Sequence, residues 1–166
     1  MKVYRKVLLI LALSGLAIGC DSTPEPEAPK AGQVIALFYY NPEMDMDAQG
    51  NIQCSAAGLV ALSREVSADL EGLALIRATI ERLLEDELSA GEIGDGITSD
   101  FPLTGLVLEG TTFTGGLLTL TISDPEFQTS GGACRVSILR AQVEATAMQF
   151  DGVAEVRILP EDLFQP

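Results

Sequence analysis

The run Asp45-Met46-Asp47-Ala48-Gln49-Gly50-Asn51-Ile52 brings together the side chains best suited to metal chemistry. Acids at the first and third places, glycine at the sixth and an aliphatic residue at the eighth follow the opening of a calcium-binding loop. Ala56 stands at the twelfth place, where such loops carry a bidentate glutamate, and Gln49 stands at the fifth. Asp45, Asp47 and Asn51, with backbone oxygens, are therefore a candidate calcium site of low affinity. The alternative is a solvated acidic turn built on Asp, Asn and Gly turn chemistry.

Other chemistries are constrained by composition. The chain has no histidine, which removes the commonest general base and zinc ligand and excludes Ser-His-Asp and Cys-His arrangements. With 24 acids in the chain, paired carboxylates carry no information, and Glu85, Asp86 and Glu87 read as solvated surface. Gly91, Gly94 and Gly96 follow no strand and lack a Lys-Ser/Thr, so a phosphate loop is not expected. Phe38, Tyr39 and Tyr40 are either a recognition patch or strand core, and aromatics in strands are mostly core. No cofactor and no catalytic residue are assigned.

The three cysteines divide by position. Met1 to Gly19 has a basic start (Lys2, Arg5, Lys6), an apolar run of about a dozen residues and small residues before Cys20. That run is shorter than the roughly twenty residues of a spanning helix and reads as a secretory signal. The end Ala17-Ile18-Gly19-Cys20 resembles a lipobox, which implies that Cys20 carries the acyl chains of a membrane anchor. The alternative is an ordinary signal peptide cut elsewhere. Cys54 and Cys134 remain, and an even pair in an exported protein reads as a disulfide. Closing 80 residues would stabilise by about 4–5 kcal/mol in the chain-entropy model. The alternative is two separate buried thiols.

Residues 20–32 form a tether: from Asp21 it holds three prolines, three acids and no large apolar side chain. Residues 33–166 form one domain. The formal charge is −14 and becomes −17 when the leader's three basic residues are removed. Such a surface repels nucleic acid and anionic headgroups.

The elements that must position these residues follow from periodicity. Gln33–Tyr40 and Leu59–Val66 read as strands flanking the acidic connection 41–58. Ala68–Leu88 is helical, with Leu73, Ile76, Ile80, Leu83 and Leu84 on one face and Ser67 or Asp69 as its cap. Residues 89–101 read as a Gly-rich turn region. Gly105–Thr114 and Leu117–Ser123 form a hairpin about Gly115-Gly116. Ala133–Phe150 is a second helix, with Val136, Leu139, Val143, Ala147 and Phe150 inward. Val153–Leu159 is the last strand, and 160–166 a short tail. The order ββαββαβ predicts an α+β two-layer sandwich, with two helices on one face of a mixed sheet.

The ordered set RATIERLLEDELSAGE, GDGITSDFPL, VLEGTTFTGGLLTLTISD and ILRAQVEATAMQFDGVAEVRI resembles the GerMN domain of sporulation and spore germination proteins, over about Val34 to Ile158. The family often carries Gly-Pro-Thr after its first helix, where this chain has Glu85-Asp86-Glu87-Leu88. The resemblance implies a fold like ring-building modules of envelope machines and a role that is not enzymatic. The expected function is a bacterial envelope lipoprotein with a binding or assembly domain for a protein partner. The alternative is a calcium- or cell-wall-binding module using loop 41–58. A hydrolase working with carboxylates alone is the third reading.

Overall fold

The computed structural model describes residues 32–165; the leader, Cys20 and nearly all of the tether lie outside them, as does Pro166. The chain runs β1 (Gln33–Tyr40), β2 (Leu59–Val66), α1 (Gly72–Glu85), α2 (Ala90–Gly94), β3 (Val107–Thr114), β4 (Leu117–Ser123), α3 (Ala133–Met148) and β5 (Glu155–Leu159). No helix among the described residues is long and apolar enough to cross a membrane.

The fold is α+β, with the strands divided between two sheets. β1 and β2 pair antiparallel, from Gln33 opposite Val66 to Tyr40 opposite Leu59. β3, β4 and β5 make a mixed sheet with β4 central, antiparallel to β3 and parallel to β5. The β3–β4 turn places Gly115 and Gly116 at φ of 60° and 88°, the left-handed pair that a tight hairpin demands. The parallel step needs a crossover, and α3 supplies it.

The expected single sheet fails at β1. The edge of β1 away from β2 is occupied by side chains of α3 and of its C-cap Gln149, and not by another strand. The Gln149 amide both donates to the Ala36 carbonyl (2.7 Å) and accepts from its N–H (3.1 Å). Thr146 Oγ1 accepts from Phe38 N–H at 3.1 Å, and Gln142 Nε2 donates to the Phe38 carbonyl at 3.3 Å. Positions 142, 146 and 149 share one helical face. Tyr40 then bridges to Thr98, completing the edge.

α1 and α3 pack on each other; α1 reaches β3 and β1, and α3 reaches β1 and β5. The core between them holds Leu37, Tyr39, Ile80, Leu83, Leu118, Leu120, Leu139 and Val143. Leu73, placed on the buried face by its spacing, is 41% exposed. α1 begins later than its periodicity suggests because Gln33 ties the preceding turn to β1, donating to the Ser67 and Leu70 carbonyls. Ser67 donates to Asp69, and the residue before the helix is Glu71, with no side-chain cap. The supposed turn region contains α2, opened by a Ser89–Glu92 capping box. The tail is no appendage, since Leu163 and Phe164 are buried in the core.

Candidate functional site

Successive residues of a strand face opposite sides, so β1 sends Tyr39 and Tyr40 to two different buried aspartates. Both tyrosines are core residues, while Phe38, the third aromatic of the run, is half-buried.

Tyr39 donates its hydroxyl to Asp86 Oδ2 at 2.7 Å. Arg64 Nε meets the same oxygen at 2.6 Å, and Arg82 holds the other oxygen at 2.8 Å. The Arg64 guanidinium also forks onto Glu92, at 2.8 and 3.1 Å, and lies 5.7 Å from the centre of the Tyr39 ring. The Arg64 bonds, followed by the Ser89 N–H, hold Glu92 down at about 2. Burial, then the bond to Asp86, pushes the Tyr39 hydroxyl far above its usual range. Burial alone would lower Arg64, but its bonds to Glu92 and Asp86 outweigh that and raise it. Asp86 is 5% exposed and ends α1 in an extended conformation. It is therefore not the solvated surface residue its acidic neighbours suggested. The network joins β1, β2, α1 and α2, and every carboxylate in it is matched to a donor. It is a clamp, with no free base or nucleophile.

On the other face Tyr40 donates to Asp45 Oδ2, and Ser55 donates to the same carboxylate through its N–H (2.7 Å) and its hydroxyl. The Ser55 hydroxyl first, then Tyr40 and the Ser55 N–H, lower Asp45 below the usual carboxylate range. Burial, then Asp45, raises Tyr40 to about 12. Among the described residues no cation takes part. Asp47 accepts from the Gln49 and Asn51 N–H groups (2.9 and 2.8 Å) and from the Asn51 and Gln53 amides. The Asn51 amide first, then its N–H, lowers Asp47. Of the three candidate calcium ligands the structure thus joins Asp47 to Asn51 and turns Asp45 inward to other partners. Asn51 offers Asp47 donors. Among the described residues no group of three or more Cys, Asp or Glu side chains is arranged to hold a metal. The carboxylates of this loop bond to its own backbone N–H groups.

Cys54 and Cys134 are joined, with Cα atoms 5.1 Å apart, fastening this loop to the first turn of α3. Beside the bridge lies a groove of about 470 Å³ between the segment 98–100 and the first half of α3. Tyr40, Ile138 and Leu139 give it an apolar floor; Ser99, Asp100, Arg135 and Gln142 supply polar atoms. Asp100 pairs with Arg135, which also donates to the Gln128 and Ser130 carbonyls at 2.9 and 2.7 Å. Gln142 is 0% exposed; its Nε2 serves Phe38 and Ser99, while its Oε1 has no partner. Sequence reasoning assigned none of Ser99, Asp100, Arg135 or Gln142. A signal existed for Gln142, a polar residue beside Leu139 and Val143 on an apolar face, with Thr146 and Gln149 repeating it at helical spacing.

The family model of sporulation and spore germination, named Germane, matches residues 37–162. The chain belongs to the Germane family. Among solved structures it is similar to the tandem GerMN domains of the sporulation protein GerM from Bacillus subtilis, with a TM-score of 0.54 and 14% identity. The match covers 84% of this chain and 43% of that one, so this chain spans less than half of the tandem protein. At that identity the likeness is one of fold. No curated protein matches the chain.

Proposed function

We propose that this chain is a binding or assembly module without catalytic activity, held at a bacterial envelope membrane by acyl chains on Cys20 and engaging a protein partner there. The observation supporting the non-catalytic half is how the buried carboxylates are used. Asp45 and Asp86 are both consumed in ties between chain segments, so neither has the freedom a general base requires. Membership in a family described by sporulation and spore germination supports an envelope setting. The basic, apolar, small-residue leader ending at Cys20 supports the anchor.

The test is made in cells producing the full chain. The intact mass of the mature protein is expected to show acyl chains on Cys20, and Cys20→Ala is expected to move the protein out of the membrane fraction. Photo-crosslinkers placed around the domain are expected to trap one defined envelope protein. An unacylated Cys20 overturns the anchor. A domain that crosslinks nothing and stays monomeric overturns the assembly role.

A further inference from the structure

A strand at the edge of a sheet presents unpaired N–H and C=O groups, and proteins block such edges with proline, lysine, bulges or covering elements. Three edges of this fold are blocked. The β1 edge is covered by Gln142, Thr146 and Gln149. The β3 register shifts between Leu108 and Gly110, and Arg77 donates to the Leu108 and Glu109 carbonyls. β5 has five residues and stops at Pro160. β2 differs: it runs for eight residues in unbroken register, with no proline or lysine.

Which groups β2 turns outward follows from β1. Opposed residues of an antiparallel pair alternate between bonding to each other and pointing apart. Ala36 and Phe38 bond through both N–H and C=O to side chains of α3 and its C-cap, and Tyr40 bonds through both to Thr98. Their opposites Ser63, Ala61 and Leu59 therefore point away from β1, and Glu65 continues the alternation. The Leu59 N–H is bonded to the Ala56 carbonyl, and the Ser63 carbonyl accepts from Arg64 Nη1 at 3.1 Å. That carbonyl keeps a second lone pair. The other outward groups have no partner among the described residues, and Ala61, Ser63 and Glu65 are exposed.

The complement of such an edge is an extended backbone, and β2 fits itself. Turned about a two-fold axis at Leu62, a second copy sets every outward residue against an outward residue. Ala61 meets Ser63, both small, and Leu59 meets Glu65. Arg64 stands opposite Val60, so no like charges face each other. Leu62, half-buried at the rim of the core, meets Leu62 of the other copy and is covered by it. Sliding the copies by two residues leaves an outward residue beyond the end of the strand.

We propose that β2 pairs antiparallel with β2 of a second copy about Leu62, joining two β1–β2 ribbons into one continuous sheet. This rests on the reading of the domain as an assembly module and names the chain itself as the partner.

The full-length, disulfide-intact chain is followed by sedimentation in excess detergent. A dimer is expected, its fraction rising with protein concentration and with salt, which screens the net charge of −14. Ser63→Pro removes an outward N–H and no β1–β2 bond, a substitution that strand edges tolerate. It is expected to weaken the dimer about tenfold or more with circular dichroism unchanged. Leu62→Cys reads the register, because only at the axis does a residue meet its own copy within disulfide reach. Mild oxidation is expected to join L62C into a covalent dimer and to leave V60C monomeric. A monomer at every concentration overturns the proposal. So does an unweakened dimer in S63P, failure of L62C to crosslink, or equal crosslinking of V60C. Should S63P not fold, the two cysteine variants decide alone. If crosslinking in cells traps a different protein while the chain stays monomeric, this inference falls and the assembly reading stands.

Discussion

Tyr39 and Tyr40 are neighbours in sequence, both buried, and each gives its hydroxyl to a buried aspartate. Their surroundings differ in one respect. Asp86, below Tyr39, is flanked by Arg64 and Arg82, whereas Asp45, below Tyr40, meets only hydroxyl and N–H donors among the described residues. The Asp86 side is a closed ionic clamp between four elements that are regular on their own. The Asp45 side orders a long irregular connection, closed covalently by Cys54–Cys134 and lying beside a groove. Rigidity thus comes from paired charge on one side of the strand. On the other it comes from a covalent closure and neutral hydrogen bonds, beside a groove.

The largest expected effect tests the covalent half. Replacing both Cys54 and Cys134 by serine should lower the unfolding free energy by about 4 kcal/mol, read from urea denaturation. A loss below 1 kcal/mol would show that the loop holds itself and would erase the contrast. Next, Asp86→Ala should cost about 3 kcal/mol in the same assay, because it leaves Arg64 and Arg82 short of their shared buried counter-charge. A neutral result would mean that the clamp is ornamental.

The tyrosines sharpen the comparison further. Tyr40→Phe should cost about 2 kcal/mol and Tyr39→Phe about 1 kcal/mol, since Asp86 keeps two cations when it loses a phenol while Asp45 keeps none. The reverse order would contradict the assignment of roles.

The smallest effect is in pH dependence. Glu92 at about 2 and the lowered Asp45 contribute stability that is present above ordinary carboxylate values and lost as pH falls through their folded values. Tyr40, raised to about 12, contributes stability present below the ordinary phenol value and lost as pH rises toward 12. Thermal midpoints against pH should therefore fall at both ends. Glu92→Gln should flatten the acid limb, and Tyr40→Phe the alkaline one. Unchanged limbs in both variants would separate these groups from stability.

Much of the scaffold was legible in the sequence. β1, β2 and β4 sit where alternation and turn residues place them, and the Gly115-Gly116 hairpin is fixed by backbone sterics alone. The carboxylates were not legible, because composition treats every acid alike and burial does not. Asp86, amid Glu85 and Glu87, looked like surface until Arg64, 22 residues earlier, was folded against it. The calcium-like spacing at Asp45 and Asp47 was equally ambiguous, since the same residues that ligate ions also fold turns. Their partners in the fold, Tyr40, Ser55 and Asn51, are not readable from the spacing.

The sequence by itself determined the order of most elements, the absence of histidine chemistry and the acidic surface. Those depend on local sterics, hydrophobic period and simple counting. Tertiary structure alone decided that five strands make two sheets, because covering the β1 edge required Gln142, Thr146 and Gln149 to arrive from more than a hundred residues away. It alone decided which acids are buried. Desolvation and hydrogen-bond matching depend on neighbours in space, and no spacing along the chain encodes them.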